Sequence, residues 1–271
     1  MDRIWLFFEV YVIMSAVYQN LPEAAKAFRH EVIGDCILFN ADCLAVLPTL
    51  GKVDAVVTDP PYGVEFSGSA TKHSKRDGNS YASFEDTPEN VAKICVPAVR
   101  LAVSLSRSAA VTPGSRCAHL YDVPVAQGAI FYPSGANSGP WGFICSQPIF
   151  YYGKDPFLAK GLGLRPNGFS TTESAEKNGH PCPKPIGQMK WLVNRVSFEG
   201  ETVMDPFMGS GTTGVACVKL GRKFIGIEIN EGYFEIAVDR IRKAYAQPDF
   251  FVAQPKPEPA KQESLFGGEA A

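Results

Sequence analysis

Two consecutive prolines follow a short apolar run at positions 53–57. The run is rich in β-branched residues, which predicts a buried strand. Neither Pro60 nor Pro61 can donate a backbone hydrogen bond, so the strand must end where they begin. The chain therefore leaves the strand in a rigid turn that carries the carboxylate of Asp59 and the ring of Tyr62.

Such a turn suits the binding of an aromatic amine. The Asp59 carboxylate and the Pro60 carbonyl can each accept one hydrogen of a planar amino group, while the Tyr62 ring stacks on the face of the aromatic system. The alternative is a simple strand-ending turn with a solvated aspartate and a tyrosine that packs. This motif alone leaves both interpretations open.

The bulk properties limit the class of protein. A chain of 271 residues with 45% hydrophobic content can bury a full core, as one domain or one domain with a small insert. A net charge of −2 argues against a whole-surface nucleic-acid binder, although it permits a local basic cleft. Seven scattered cysteines without a C-x-x-C pair favour free thiols in a reducing compartment, hence the cytoplasm, and argue against a zinc site.

The apolar N-terminal segment 4–18 does not read as a membrane anchor. Glu9 interrupts it, it is shorter than the ~20 residues that a bilayer span needs, and no basic region precedes it. We expect a packed or loosely attached N-terminal helix. An alternative is that Met14 is the natural start.

The rest of the chain alternates strand and helix patterns, which predicts a mostly parallel, doubly wound α/β sheet. The further predicted strands are 36–41, 109–112, 142–152 (one strand or a strand pair), 202–204 and 223–229, and the predicted helices are 44–50 (a short helix or a turn), 87–106, 186–197, 212–220 and 230–246. We expect an N-terminal extension (1–30), a catalytic domain (31–246) with small target-recognition inserts (about 64–84 and 154–179), and a disordered tail (247–271).

A second motif lies far downstream. The strand 202–204 leads into the turn Gly209-Ser210-Gly211 and then into a helix, a geometry that brings backbone close to a ligand at a helix N-terminus. Glu228 ends the next strand, where an acidic side chain can accept both hydroxyls of a ribose. Asp42 also follows a strand end, where ligand-facing residues lie. The combination predicts a nucleoside-containing ligand without a pyrophosphate requirement.

Three motifs together resemble the amino-directed DNA methyltransferases that use S-adenosyl-L-methionine. They are Asp59-Pro60-Pro61-Tyr62, His180-Pro181 with Lys184-Pro185, and Asp205-Pro206-Phe207-Met208-Gly209-Ser210-Gly211-Thr212-Thr213. The catalytic motif precedes the cofactor motif, as in the β arrangement of that family, and the resemblance covers roughly positions 33–242. It implies a class I methyltransferase (Rossmann-like) fold, circularly permuted, with a seven-stranded sheet and one antiparallel edge strand.

The resemblance also implies roles for individual residues. Asp59, Pro60, Pro61 and Tyr62 would be catalytic and hold the target amine and its base. The residues that would bind the cofactor are Asp42, Lys184, Pro185, Asp205, Phe207, Gly209, Ser210, Gly211, Thr212, Thr213 and Glu228. Among these, Glu228 would bind the ribose and Asp42 the adenine amino group, while Lys184 and Pro185 would close the pocket. No metal is implied.

In this family, aspartate at the first position of the catalytic motif is associated with adenine N6, whereas serine is commoner for cytosine N4. The resemblance therefore implies methylation of adenine N6 on a base flipped out of double-stranded DNA. Because little of the chain is free for contacts with base edges, we also predict a short or degenerate recognition sequence. Such an enzyme would belong to a restriction–modification system or a phage, in a bacterial or phage-infected cell. The alternatives are cytosine N4, an RNA substrate, or a non-catalytic DNA- or clamp-binding module on the same scaffold.

The tail carries a further short motif. Residues 262–266 (QESLF) resemble the peptides that dock on bacterial sliding clamps, in which a Leu-Phe pair fills a small apolar groove. The alternative is a tail with incidental apolar residues. We expect no membrane partner, and a monomer or a homodimer.

Overall fold

The computed structural model describes residues 16–64, 84–135, 137–139, 141–180 and 182–246. The predicted loop at 67–83, Pro181, the tail and its clamp-like peptide lie outside these ranges, as does most of the predicted N-terminal helix. The described part of that N-terminal region packs on the domain, since Leu21 and Ala25 are buried in the same cluster as strand residues.

A nine-stranded sheet forms the centre of the described structure. The strands are β1 (His30–Ile33), β2 (Cys36–Asn40), β3 (Val53–Thr58), β4 (Ser106–Val111), β5 (Ala126–Phe131), β6 (Asn137–Gly139), β7 (Gly142–Ile144), β8 (Ser146–Gly153), β9 (Phe169–Ser170), β10 (Thr202–Asp205) and β11 (Lys223–Glu228). The sheet order is β1-β2-β11-β10-β3-β4-β8-β5-β9, and β6 and β7 form a separate hairpin.

The predicted sheet class is confirmed, but the predicted number of seven strands is wrong. Strands β2, β11, β10, β3 and β4 run parallel. The resemblance implied one antiparallel edge strand, whereas β8 lies antiparallel between β4 and β5, and β1 pairs antiparallel with β2. The sheet gains an edge strand at each side. Gly34, at φ +54°, turns β1 back onto β2, and β9 at residues 169–170 pairs with β5.

Helices cover both faces of the sheet, as the doubly wound prediction requires. They are α1 (Ala16–Gln19), α2 (Glu23–Lys26), α3 (Cys43–Val46), α4 (Pro88–Asn90), α5 (Val96–Ser104), α6 (Pro156–Ala159), α7 (Ile186–Val196), α8 (Thr212–Lys219) and α9 (Glu231–Ala246), with a π-helical turn at Val91–Cys95. Buried residues of α7, α8 and α9 share one core cluster with the sheet, and those of α3 and α5 share another. Within the described ranges, no helix is long and apolar enough to span a bilayer.

The position of β10 determines where the two sequence motifs meet. It lies between β11 and β3, and its Met204 is in register with Val56 of β3. The two strands run parallel, so their carboxyl ends reach the same edge of the sheet. The turn after β3 and the glycine-rich turn after β10 are therefore neighbours, although more than 140 residues separate them in sequence.

Candidate functional site

A cavity of about 210 Å³ opens at the carboxyl edge of β3, β10 and β11. Most of the residues that sequence analysis selected contribute to its wall: Asp42, Asp59, Pro60, Pro61, Tyr62, Lys184, Asp205, Phe207, Gly209, Ser210, Thr212, Thr213 and Glu228. The catalytic and cofactor motifs thus face one shared space.

Two selected residues, Pro185 and Gly211, do not line this cavity. Pro185 is the N-cap residue of α7. Gly211 precedes α8 at φ +76°, and a Cβ at this position would lie 2.8 Å from the Cβ of Ala237. Both residues shape the chain behind the wall, and only glycine fits the second position without strain.

The carboxylate of Asp59 is surrounded by donors. Its Oδ2 lies 2.7 Å from Lys184 Nζ, and its Oδ1 accepts hydrogen bonds from Thr112 Oγ1 at 2.5 Å and from Gln147 Nε2 at 3.3 Å. The hydroxyl of Tyr62 also donates to Oδ1. Four side chains from four separate parts of the chain therefore orient this carboxylate.

Lys184 lines the cavity beside Asp59 and Tyr62, and the role that the resemblance implies for it, closing the cofactor pocket, stays a prediction. Besides its ion pair with Asp59, its Nζ donates to the Tyr62 hydroxyl at 2.8 Å and lies 4.6 Å from the centroid of the Tyr62 ring. Burial is the strongest single influence and acts to lower the pKa of Lys184, but the charge of Asp59 and the contacts with Asp59 and Tyr62 together outweigh it and hold this pKa well above its ordinary value. The lysine therefore stays cationic and compensates the charge of the carboxylate.

The ring of Tyr62 lies close to the backbone of Gly114. Gly114 adopts φ +68°, and a Cβ there would lie 2.6 Å from Cγ of Tyr62, so the close approach requires glycine. Burial and the neighbouring Asp59 raise the pKa of the Tyr62 phenol well above its usual range. The phenol stays protonated and serves as a hydrogen-bond donor.

Asp205 organises the glycine-rich turn from inside. It is 2% exposed, and it accepts hydrogen bonds from Thr58 Oγ1 at 2.7 Å, Thr213 Oγ1 at 2.6 Å and the backbone N–H of Phe207 at 3.0 Å. Burial raises the pKa of Asp205 to about 6. Because Thr58 immediately precedes Asp59, this contact ties the two motifs together directly.

Two further carboxylates lie on the β11 side of the cavity. Glu228 accepts the backbone N–H groups of Gly209 at 3.0 Å and Asn230 at 2.8 Å. Burial raises its pKa to about 7. Asp42 caps α3 through the N–H of Leu44 at 2.8 Å. Each carboxylate retains lone pairs for hydroxyl or amino donors of a ligand.

Sequence reasoning missed several residues that support the site. Asp86 accepts the backbone N–H groups of Gly63 at 2.7 Å and Val64 at 3.3 Å, which anchors the chain just after the catalytic motif. Arg240 of α9 donates to the Ser210 carbonyl at 2.5 Å and holds the glycine-rich turn. No local pattern identifies such residues, because each acts on backbone distant in sequence.

His180, the first residue of the motif that contains Lys184, forms another part of the wall. Its ring lies edge-on to Tyr233, with 4.5 Å between centroids, and a Cβ at Gly209 would lie 3.1 Å from its Nε2. Burial lowers the pKa of His180 to about 4, so the imidazole is neutral near pH 7. His180 therefore adds no charge to the wall of the cavity beside Gly209.

Part of this chain is similar to known proteins. Residues 163–239 match a family model described as DNA methylase. The type II methyltransferase M.HindIII of Haemophilus influenzae is 47% identical over 68 residues, which is 25% of this chain and 22% of that protein. The DNA adenine methyltransferase YhdJ of Escherichia coli K12 is 44% identical over 66 residues, 24% of this chain and 22% of that protein. The matches thus span about a fifth of the length of these relatives.

The fold likeness extends further along the chain. The crystal structure of the M1.HpyAVI–SAM complex superposes with a TM-score of 0.51 at 21% identity, covering 75% of this chain and 98% of that one. The predicted class I methyltransferase-like fold is therefore confirmed. The predicted resemblance to amino-directed DNA methyltransferases is confirmed over the matched segment.

Proposed function

We propose that this chain is a DNA methyltransferase that transfers the methyl group of S-adenosyl-L-methionine to adenine N6 of a flipped-out base. One observation carries the proposal: the turn with Asp59 and the glycine-rich turn after Asp205 line the same cavity and are joined by the Thr58–Asp205 hydrogen bond. An amine acceptor and a nucleoside site in one cavity are what direct methyl transfer needs. The adenine named for one relative favours N6 over cytosine N4.

The donor and acceptor set of the cavity fits the proposed cofactor. Glu228 and Asp42 offer acceptors for ribose hydroxyls and an adenine amino group. Gly209, at φ +51°, brings backbone to the wall beside Glu228. The side chain of Phe207 and the hydroxyls of Thr212 and Thr213 belong to the part of the wall that we assign to the methionine end. When bound, the cofactor supplies an electrophilic methyl group on a positively charged sulfur.

The catalytic turn would prepare the amine. The lone pair of adenine N6 is delocalised into the ring, so the amine is a poor nucleophile. Hydrogen bonds from N6 to the Asp59 carboxylate and the Pro60 carbonyl favour a more tetrahedral nitrogen, and they stabilise the positive charge that develops there. Because Lys184, Thr112 and Gln147 already orient Asp59, little reorganisation is needed during transfer. Holding the amine in line with the methyl group contributes on the order of several kcal/mol.

Transfer of labelled methyl groups to defined DNA tests this proposal. The purified full chain is incubated with S-adenosylmethionine carrying a heavy-isotope methyl group and double-stranded DNA of known sequence, and the nucleosides are analysed by mass spectrometry. We expect labelled N6-methyladenine, and none with an Asp59→Ala variant that still binds the cofactor. Labelled N4-methylcytosine would show that the target base is cytosine and not adenine. The absence of any labelled base would reject the enzyme and favour a non-catalytic DNA-binding module.

We also propose that the tail peptide 262–266 docks on a sliding clamp and so brings the enzyme to newly made DNA. The Gln-x-Ser-Leu-Phe pattern supports this partner, and the peptide lies outside the described residues. A pull-down of purified clamp is expected to succeed with the full chain and fail without the last ten residues. Capture by both forms would contradict the proposal. Light scattering of the same samples distinguishes a monomer from a homodimer.

A further inference from the structure

A chain of three hydrogen-bonded side chains lies behind the catalytic aspartate. Gln147, the second residue of β8, donates its amide N–H to Asp59 Oδ1 at 3.3 Å and also to the hydroxyl of Tyr62. The Oε1 of Gln147 lies 3.1 Å from the hydroxyl of Tyr132, which in turn lies 3.0 Å from Oε1 of Gln188 in α7. This series of hydrogen bonds therefore runs from α7, behind the sheet, to the carboxylate of Asp59.

The direction of this chain follows from the number of protons available. A phenol has one proton, so the Tyr132 hydroxyl can donate to Gln147 or to Gln188, but not to both. Gln188 is 1% exposed, and its Nε2 is a buried donor that has no partner. Rotating the Gln188 amide by 180° places that N–H on the Tyr132 oxygen. The Tyr132 proton is then available for Gln147, and a carbonyl rather than an N–H is left unpaired, which is the less costly defect.

We infer that Gln147 is a positioning residue for the Asp59 carboxylate, and that Gln188 and Tyr132 determine which end of the Gln147 amide faces it. The inference rests on the proposed function, in which Asp59 accepts the target amine. With Tyr132 donating to its Oε1, the Gln147 amide must present its N–H group to Asp59. The reverse orientation would place a carbonyl oxygen against a carboxylate oxygen, which is repulsive.

Gln147 and Thr112 both donate a hydrogen bond to Oδ1 of Asp59. Thr112 is fully buried and donates from the position that follows β4, while Gln147 donates from β8, the antiparallel neighbour of β4. Two donors from different strands fix both the position and the rotation of the carboxylate. Without Gln147 the carboxylate keeps its charge and its ion pair with Lys184, but it loses one of the contacts that aim a lone pair at the amine.

A double-mutant cycle tests the inference with the full chain. Gln147→Met keeps the length of the side chain and removes the amide, and Tyr132→Phe removes only the hydroxyl. We expect Gln147→Met to lower kcat about 10- to 100-fold, as for the loss of a hydrogen bond to a charged group. The affinity for S-adenosylmethionine, measured by calorimetry, should remain within about twofold, because Gln147 does not line the cofactor part of the cavity.

The Tyr132→Phe substitution shows whether Tyr132 acts through Gln147. Tyr132→Phe alone should lower kcat by a smaller factor, and it should have no further effect in the Gln147→Met background, because the chain is already broken. Gln188→Glu adds a test of direction. The carboxylate of this variant can only accept a hydrogen bond, so the Tyr132 hydroxyl donates to it and no longer to Gln147. The Gln147 amide then turns round, and kcat should fall. The matched control is Gln127→Leu, an exposed glutamine on β5, which should retain wild-type kcat.

The outcomes separate the inference from the proposed function. An active wild-type enzyme whose kcat is unchanged by Gln147→Met, or in which the effects of Gln147→Met and Tyr132→Phe simply multiply, would overturn the inference alone. A wild-type chain that transfers no methyl group would overturn the proposed function and the inference with it. If Gln147→Met does not fold, Tyr132→Phe and Gln188→Glu carry the test, and unchanged kcat in both would overturn the inference.

Discussion

Asp59 and Asp205 occupy matching places on two neighbouring strands, yet their surroundings differ. Each aspartate lies at the carboxyl end of a parallel strand and is followed by proline. Asp205 is 2% exposed, and its hydrogen-bond donors are two threonine hydroxyls and one backbone N–H, all uncharged. The side chain of Asp59 is 16% exposed and forms an ion pair with Lys184.

The difference separates an aspartate that shapes a turn from one that can act on a ligand. Neutral donors leave the charge of Asp205 uncompensated, so burial raises its pKa to about 6. Its oxygens are directed into the protein and hold the glycine-rich turn. Lys184 compensates the charge of Asp59, and the carboxylate stays at the cavity wall, where a target amine can reach it.

Removing the Asp59 carboxylate should have the largest effect on activity. We expect Asp59→Ala to lower the rate of methyl transfer by at least about 10²- to 10³-fold, because the amine loses a preorganised acceptor. The affinity for S-adenosylmethionine should stay within about twofold of wild type. Single-turnover transfer and calorimetry measure the two quantities. Near-normal transfer by folded Asp59→Ala would abolish the distinction between the two aspartates.

Removing the Asp205 carboxylate should instead affect stability. In Asp205→Ala, the hydroxyls of Thr58 and Thr213 lose a buried acceptor, and we expect the free energy of unfolding to fall by about 2–4 kcal/mol. Asp205→Asn keeps an acceptor oxygen and should be less destabilised. Urea denaturation measures both variants. If Asp205→Ala were as stable as wild type but inactive, Asp205 would act on the ligand, as Asp59 is proposed to do.

Substitution of Tyr62 separates its ring from its hydroxyl. Stacking on a flipped base is worth about 1–3 kcal/mol, so Tyr62→Ala should lose roughly 10- to 100-fold in kcat/KM for DNA. Tyr62→Phe keeps the ring and removes a donor that competes for Asp59, and it should stay within a few-fold of wild type. Methylation of oligonucleotides measures both. Equal losses in the two variants would mean that the hydroxyl, not the ring, is what the site requires.

The third carboxylate at this edge, Glu228, predicts a smaller and pH-dependent effect. Burial raises its pKa from 4.5 to about 7, so the folded chain holds this proton more tightly than the unfolded chain. Its contribution to stability is therefore greatest at low pH and is lost as the pH rises through about 7. A ligand whose hydroxyls donate to this carboxylate binds best when Glu228 is ionised. Cofactor affinity should therefore increase as the pH rises through about 7.

Calorimetric titration with S-adenosylmethionine between pH 6 and 8 measures this effect. We expect a gain of several-fold in affinity for wild type, and a flat profile for Glu228→Gln, whose amide does not titrate. His180 remains neutral across the interval, because its pKa is lowered to about 4. A slope that persists in Glu228→Gln would assign the titration to another group.

The sequence predicted the parts of this site that local signals determine. The strand that ends just before Asp59-Pro60 and the glycine-rich turn at 209–211 both lie where the pattern placed them, because proline and glycine constrain the backbone directly. Strand β5 was not predicted, since the run Ala126–Phe131 contains glycine and glutamine and buries only Ile130. Its place in the sheet comes from pairing with β8.

The contacts around Asp59 depend on tertiary structure and could not be predicted. Thr112, Gln147 and Lys184 come from distant positions in the chain, and nothing adjacent to Thr112 or Gln147 in sequence distinguishes them from other polar residues. The motif with Lys184 was recognised, but the side of the cavity on which its ammonium lies was not. Register between strands, rather than residue type, brings these groups together.

The hydroxyl of Tyr62 already occupies an oxygen of Asp59 that the target amine would need. Each turnover would therefore begin with an exchange, in which an incoming N–H displaces a resident O–H and the number of hydrogen bonds hardly changes. A free nucleobase gains little from such an exchange, because it has no other contacts to drive it. DNA, with its many phosphate contacts, can supply that driving force, so the resident tyrosine would make the enzyme selective for bases that arrive as part of a polymer.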